Sequence, residues 1–208
     1  MSDLPQTVFV VDDDPSFLAA MSRWLCAFGY SIESYSSVME FLTQRPKQAA
    51  GCVITDLSMP GVDGMDLQHA LAQSGNPLPI IFLTGAGDIP ASVQAMRNGA
   101  EDFLLKTAEK EAILDAVERA LARDIFERHQ RRNQRGLQQR FKQLTPRQYE
   151  VLEHVLLGKL NKQIAADLVI DERSVKRHRA NMMKKLQVSS VAELARLAVE
   201  AGVVRETE

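Results

Sequence analysis

The chain has 208 residues, of which 45% are hydrophobic and 25% are charged, and this balance excludes disorder along its whole length. No apolar run approaches the roughly 18 residues of a membrane span, and no basic segment leads into an apolar one at the start. We therefore expect a cytoplasmic protein with no membrane partner. Cys26 and Cys52 each lie in an apolar stretch and are expected to be buried, reduced thiols.

The formal net charge of -2 conceals two halves of opposite sign. Residues 1–122 carry 7 lysines and arginines against 16 aspartates and glutamates, a charge of -9. Residues 123–208 carry 18 against 11, a charge of +7. This asymmetry predicts two modules with different partners, and the basic module is a candidate for nucleic-acid binding.

Five short β-branched runs alternate with helical patterns in the acidic half. This alternation favours an α/β fold, a doubly wound five-stranded parallel sheet, and we assume the common flavodoxin-like order 2-1-3-4-5 for it. Asp14 followed by Pro15 predicts the N-cap of the first helix. The predicted strands are 7–11, 31–35, 52–55, 80–83 and 103–105.

Polar residues stand where the predicted strands end. Asp12 and Asp13 follow the first strand, Asp56 the third, Thr84 the fourth and Lys106 the fifth. Because strands one and three are neighbours in this order, the three carboxylates are expected to share one crevice. Such carboxylates repel one another without a cation, and oxygen ligands suit Mg²⁺ (or Mn²⁺) better than zinc. With a lysine and a hydroxyl facing them, the pattern predicts a carboxylate that accepts a phosphoryl group.

Motifs at these strand ends resemble the receiver domain of bacterial response regulators, and the match extends over about residues 6–125. The resemblance implies that Asp56 accepts a phosphoryl group from the phosphohistidine of a sensor histidine kinase. The matching motifs are 10–14 (VVDDD), 55–61 (TDLSMPG) with Asp63-Gly64, 83–85 (LTG) and Lys106.

The same resemblance implies a set of metal ligands. Asp13, Asp56 and the backbone carbonyl of Ser58 would ligate Mg²⁺ directly, and Asp12 would contribute through water. A single acidic residue is more often a surface or capping residue than part of a site. The prediction therefore depends on several strand ends carrying suitable chemistry together.

Thr84 and Lys106 would hold the phosphoryl oxygens, and Phe103 matches the aromatic switch residue that turns inward as Thr84 moves. Receivers usually follow this lysine with a cis proline, whereas here Lys106 precedes Thr107. A cis bond without proline costs roughly 2.5 to 4 kcal/mol, so we expect either a strained loop or a trans loop that re-aims Lys106. Ala86 has no side chain to position a hydrolytic water, which predicts slow self-dephosphorylation.

A polar segment joins the two halves. An apolar stripe from Ile113 to Ile125 predicts a helix that leaves the receiver domain, 1–122. Residues 123–143 are predicted to be a polar helical or flexible linker, with a break at Gly136. An all-helical domain is predicted over 144–208.

The basic half has the pattern of a helix-turn-helix domain. Thr145 begins a capping-box motif, and Asn161 is expected to cap a short second helix. A third helix has Val175, Met182 and Leu186 on its buried stripe. A short helix followed by a basic helix is typical of domains that insert the second helix into the major groove. The opposite face of that helix carries Arg173, Lys176, Arg177, Ala180, Asn181 and Lys184.

Several motifs resemble the LuxR-type DNA-binding domain over about residues 144–200. The resemblance implies that Lys176 and Arg177 contact DNA and that Lys162 lies near its backbone. Ala180 would offer only an apolar contact, such as one to a thymine methyl. The motifs are 144–147 (LTPR), 150–152 (EVL), Gly158, 161–165 (NKQIA), 174–179 (SVKRHR), 185–186 (KL) and Val188.

The two resemblances together indicate the NarL/FixJ group of two-component response regulators. They imply a transcription regulator rather than a turnover enzyme. This regulator would dimerise when phosphorylated and would bind double-stranded promoter DNA. One alternative is a regulator that works without phosphorylation, suggested by Lys106-Thr107. A second is a phosphohydrolase that resembles the haloacid dehalogenases, with Asp12 as nucleophile, although Asp56 would then be unexplained.

Overall fold

The computed structural model describes residues 6–85 and 89–203, and the prediction about Ala86 lies outside them. The chain divides into two compact units, Met1–Arg128 and His129–Glu208. Within the described ranges, no helix is both long and apolar enough to cross a membrane. The sequence placed the domain boundaries after residues 122 and 143. These boundaries concern which segments fold independently, and they stay predictions.

A five-stranded, all-parallel sheet forms the centre of the first unit. Its strands are β1 (Thr7–Val11), β2 (Ser31–Tyr35), β3 (Gly51–Thr55), β4 (Ile80–Thr84) and β5 (Asp102–Leu105). Their order is β2-β1-β3-β4-β5, which confirms the predicted doubly wound architecture. Every residue of β1, β3 and β4 is buried, because helices cover both faces of the central strands.

The helices of the first unit connect these strands, and those of the second unit form a separate core. Helix α5 extends from the first unit into the second. The helices are α1 (Pro15–Ala27), α2 (Val38–Gln44), α3 (Gly64–Gln73), α4 (Ile89–Arg97), α5 (Lys110–Lys142), α6 (Pro146–Leu156), α7 (Asn161–Leu168), α8 (Glu172–Leu186) and α9 (Val191–Glu200).

Two predictions about the helices of the first unit and the linker are wrong, and the predicted apolar stripe is buried over only part of its length. Helix α5 continues through Gly136 without a break, so the polar segment is helical. Ile125 is 52% exposed, because the apolar stripe leaves the receiver core after Leu121. Cys26 is exposed near the end of α1, whereas Cys52 is buried in β3 as expected, and burial raises the pKa of its thiol.

The second unit is built around buried residues from α5 to α9. The capping box at Thr145 is confirmed: its hydroxyl accepts a hydrogen bond from the Gln148 N–H. Asn161 is not the cap of α7, because it is the first helical residue and its side-chain oxygen instead accepts a hydrogen bond from Arg179. Phe141, near the end of α5, is 3% exposed and belongs to this core.

Candidate functional site

The sheet brings the predicted polar residues together at its carboxyl edge. The backbone pairing of the sheet continues past the strands: the Asp56 N–H donates to the Val11 carbonyl at 3.1 Å. On the other side, the Lys106 N–H donates to the Thr84 carbonyl at 2.8 Å. These bonds fix the backbone from which the Asp56 and Lys106 side chains project into one pocket. The side chains there meet although their residues lie far apart in sequence.

Three carboxylates line this pocket. Asp12, Asp13 and Asp56 each present an oxygen atom, and these oxygens lie within 4.8 Å of one another. Asp12 is 1% exposed, and its Oδ1 accepts a hydrogen bond from the Asp14 N–H at 2.9 Å. Burial raises the pKa of Asp12, against the opposing effect of Lys106. The cluster therefore concentrates negative charge that extends from the buried Asp12 through the half-buried Asp56 to the exposed Asp13.

Lys106 supplies the countercharge. Its Nζ lies 2.6 Å from Asp12 Oδ2 and 2.8 Å from Asp56 Oδ2. Burial acts to lower the pKa of Lys106, but the two carboxylates outweigh it and the pKa is raised. The peptide between Lys106 and Thr107 is trans, and the lysine still reaches the pocket. The expected re-aiming of the side chain is therefore not seen.

The donor set of the pocket fits a divalent cation. Asp12 Oδ2 is buried and, among the described residues, accepts no hydrogen bond of ordinary geometry beyond its ion pair with Lys106. The oxygens of Asp13 and Asp56 complete a group of hard ligands of the kind that Mg²⁺ prefers. The Ser58 N–H donates to Asp56 Oδ1 at 3.3 Å. The role of the Ser58 carbonyl as a metal ligand stays a prediction.

The predicted switch residues lie beside the pocket. Thr84 is 3% exposed at the end of β4. Phe103 is half-buried on β5, and its ring centroid lies 5.8 Å from that of Phe82. The aromatic side chain thus packs beside the buried sheet core on the strand that leads to Lys106.

Two residues of the pocket carry roles that the sequence patterns did not indicate. The Phe17 ring lies beneath the Lys106 ammonium, with Nζ 4.3 Å from the ring centroid. At Gly64 a Cβ atom would lie 2.3 Å from the Asp56 carbonyl oxygen, so the start of α3 can approach Asp56 only with glycine. In the sequence, Phe17 is one of several apolar residues of α1, and no local pattern distinguishes it from a core residue.

The second unit presents one basic helix face to solvent. Helix α8 follows α7 after a short turn, and the Asp171 carboxylate caps it by accepting a hydrogen bond from the Ser174 N–H at 2.8 Å. Val175, Met182 and Leu186 are fully buried, as predicted. The residues of the predicted DNA-facing stripe are all exposed: Arg173, Lys176, Arg177, Ala180, Asn181 and Lys184, together with Lys162 on α7.

Side-chain bonds hold α8 against its neighbours. Arg179 donates to Asn161 Oδ1 at 2.9 Å, which joins α8 to the start of α7. Lys185 donates to Gln148 Oε1 at 3.0 Å, which joins it to α6. Arg140 of α5 donates to the carbonyl of Leu186 and so satisfies one of the free carbonyls at the end of α8.

Comparison with known proteins identifies the family. Residues 8–118 match the response regulator receiver domain, and residues 142–198 match the bacterial regulatory proteins of the luxR family. This chain belongs to the NarL/FixJ group of two-component response regulators. With its receiver domain and its LuxR-type domain, this chain is homologous to transcriptional regulators. The two domain matches lend no support to the phosphohydrolase alternative.

The relatives of this response regulator match over nearly its full length. It is 40% identical to the response regulator protein TodT of Pseudomonas putida strain F1, over 95% of this chain and 87% of the relative. It is 33% identical to the transcriptional regulatory protein FixJ of Bradyrhizobium diazoefficiens, over 96% and 97% of the two chains. Among solved structures, the response regulator StyR has a TM-score of 0.78 at 42% identity, covering 94% of this chain and 98% of StyR.

Proposed function

We propose that this response regulator is switched by phosphoryl transfer from a sensor histidine kinase to Asp56. The Lys106 ammonium at 2.8 Å from Asp56 Oδ2, beside two further carboxylates, is the observation that carries the proposal. An Asp56 oxygen attacks the phosphorus of the kinase phosphohistidine. The new P–O bond forms as the P–N bond breaks, and the electron pair of that bond leaves with the imidazole. The product is an acyl phosphate on Asp56, and the protein is regulated by the group rather than turning over a substrate.

The pocket residues stabilise this transfer in different ways. Asp12, Asp13, Asp56 and the Ser58 carbonyl would hold Mg²⁺ or Mn²⁺, which when bound offsets the negative charge of the phosphoryl group and carboxylates. Lys106 donates to the phosphoryl oxygens once its carboxylate partners are engaged elsewhere. The Thr84 hydroxyl, at the end of the neighbouring strand, would donate to another of these oxygens. Phosphorylation would thus draw the ends of β4 and β5 toward Asp56.

We infer that the α4 and β5 face is where two phosphorylated copies associate. On α4, Ile89 is 77% exposed, and Val93 and Met96 on the same helix and Leu105 on β5 are between 44% and 46% exposed. Phe103 is two residues before Leu105 on the same strand, so an inward turn of its ring would change this face. A second copy with the same apolar face would bury these side chains symmetrically.

The dimer proposal is tested with Met96→Glu, which places a charge in the apolar face. Beryllofluoride, a phosphoryl analogue, should convert the wild-type protein to a dimer in analytical ultracentrifugation, and the variant should remain monomeric. Met39→Glu is the matched control, because Met39 is 57% exposed on α2, away from this face. A Met96→Glu variant that dimerises as the wild type does would contradict the assignment.

The second unit is proposed to bind promoter DNA through α8. The exposed stripe that includes Lys176 and Arg177 has the basic character that the major groove and phosphates require. Lys176 forms an exposed ion pair with Glu172 at 3.0 Å, and such i,i+4 pairs contribute only about 0.3–0.5 kcal/mol. Lys176 is therefore readily available to DNA. The whole switch would operate in the cytoplasm, where kinase and promoter are both accessible.

Lys176→Ala should weaken binding to a DNA site selected from a random pool by about tenfold, as expected for a residue that contacts a base or phosphate. Titrations at several fixed salt concentrations measure this by fluorescence anisotropy. Arg196→Ala is the control, because Arg196 is also an exposed cation in an i,i+4 ion pair but lies on α9, outside the stripe. Equal affinity of Lys176→Ala and wild type at every salt concentration would exclude the proposed role of α8.

The phosphorylation-independent alternative is tested by the same titration with and without beryllofluoride. This alternative was suggested by the absence of proline after Lys106. In the structure, however, the Lys106 ammonium lies in the pocket although the peptide bond between Lys106 and Thr107 is trans. We expect beryllofluoride to tighten DNA binding by the wild-type protein. Equal affinity in both conditions would favour the alternative.

A further inference from the structure

The Lys106 ammonium is surrounded by two carboxylates and one aromatic ring. Its Nζ contacts Asp12 and Asp56, and the centroid of the Phe17 ring is 4.3 Å away. The face of an aromatic ring attracts a cation electrostatically at distances up to about 6 Å, most strongly where water is excluded. The Lys106 side chain is 20% exposed, so most of it is shielded from water at this contact.

Hydrogen bonds from the Lys106 N–H to the Thr84 carbonyl and from the Ala108 N–H to the Leu105 carbonyl hold the backbone around Lys106, but they do not fix the end of its long side chain. Thr107 is exposed, and the peptide that precedes it is trans. A lysine side chain has four rotatable carbon bonds, and holding it in one geometry costs rotamer entropy. In this chain the groups that place the ammonium must therefore be side chains from other elements.

Phe17 is well placed to serve as one of these groups, because its own backbone is fixed. It lies in the first turn of α1, where the Asp14 carboxylate accepts hydrogen bonds from the N–H groups of Ser16 and Phe17 at 2.8 and 3.3 Å. The Phe17 side chain packs against the apolar core on that side of the sheet. The helix cap thus connects the loop that carries Asp12 and Asp13 to the ring beneath Lys106.

We propose that Phe17 is a positioning residue for Lys106 during phosphoryl transfer. This inference rests on the proposed function of the pocket. When Asp56 receives the phosphoryl group, the ammonium must leave its contact with Asp56 Oδ2 and turn to the phosphoryl oxygens. The ring is uncharged and does not compete for the phosphoryl group, so it keeps the ammonium at the pocket throughout this exchange. Phe17 acts through Lys106 and does not contact the reacting atoms.

The test compares two substitutions of Phe17 in the full-length protein, labelled by acetyl phosphate with Mg²⁺. Phe17→Leu keeps an apolar side chain but removes the ring face, and it should slow labelling about threefold to tenfold. Phe17→Tyr keeps the ring and should restore the rate to within about twofold of wild type. Phe28→Leu, at the other end of α1 against Trp24, is the matched control and should leave the rate unchanged.

A double substitution separates positioning from packing. In a Lys106→Met background, Phe17→Leu should cause no further loss of rate, because the cation that the ring holds is gone. The inference is overturned if Phe17→Leu labels as fast as wild type, if Phe17→Tyr is as slow as Phe17→Leu, or if the loss persists in the Lys106→Met background. Failure of the proposed function looks different, since wild type and Phe28→Leu would then both remain unlabelled.

Discussion

At the residue scale, Gly51 shows how closely β1 and β3 approach. Its φ is +136°, and a Cβ atom there would lie 1.8 Å from the Thr7 carbonyl oxygen. Gly51→Ala should lower the free energy of unfolding of the first unit by about 3–5 kcal/mol, from backbone strain and overpacking together. Gly29→Ala is the control: its φ is +89° but its surroundings are open, so only about 1–2 kcal/mol is expected. Urea unfolding followed by circular dichroism measures both, and equal losses would contradict the account.

The buried carboxyl of Asp12 gives a prediction about pH. Its pKa in the folded protein is raised by burial above the ordinary value of 3.8, so the charged form is less favourable in the folded than in the unfolded state. Without metal, Asp12→Asn should therefore raise the melting temperature at neutral pH. The gain should shrink as the pH falls toward 3.8, where the carboxyl becomes protonated in both states. Melting curves in a chelating buffer at several pH values test this, and a gain that grows at low pH would contradict it.

Val169 is a further strained residue, at the turn between α7 and α8. It has a left-handed backbone with φ of +53° and is 89% exposed, an arrangement that is unfavourable for a β-branched side chain. Val169→Asn should raise the free energy of unfolding of the second unit by about 0.5–1 kcal/mol, because asparagine tolerates this conformation. Val199→Asn, at an exposed position in the last turn of α9, should bring no gain, because the backbone there is helical. A gain at Val199 and none at Val169 in chemical unfolding would refute the strain argument.

At the element scale, the last turns of α5 belong to the core of the DNA-binding unit. Phe141 is 3% exposed there, and Phe141→Ala should lower the stability of the second unit by about 3–5 kcal/mol. Phe126→Ala changes the same residue type on the same helix, where the side chain is 64% exposed, and should stay within about 1 kcal/mol. Thermal unfolding followed by circular dichroism distinguishes the two, and similar effects of both substitutions would show that Phe141 is not a core residue.

The elements themselves could largely be predicted from the sequence, because strand and helix periodicities differ and caps such as Asp14 are local signals. The course of α5 could not, because the reason it continues through Gly136 is partly tertiary: Phe141 is buried by α6 to α9. The role of Asn161 was missed for the same reason, since its partner Arg179 is 18 residues away. The contact of Phe17 with Lys106 depends on two elements 89 residues apart, and no local pattern reveals it.

At the scale of the whole molecule, the opposite charges of the two halves follow from their chemistry. The charge of -9 over residues 1–122 includes the carboxylate pocket, and the charge of +7 over 123–208 includes the exposed stripe of α8. Some of that positive charge lies on α5, where Arg128 is paired with the buried Asp124 and serves the fold of the first unit instead. Net charge therefore predicted two modules, and the positions of the residues within the fold indicate their functions.

The central claim, that Asp56 is the phosphoacceptor, is tested most directly by labelling with acetyl [³²P]phosphate and Mg²⁺. Wild type and Asp115→Asn, which alters an exposed aspartate of α5, should both acquire a hydroxylamine-sensitive acyl phosphate. Asp56→Asn should acquire none, although its fold measured by circular dichroism is unchanged. Labelling of Asp56→Asn at the wild-type level would contradict the account.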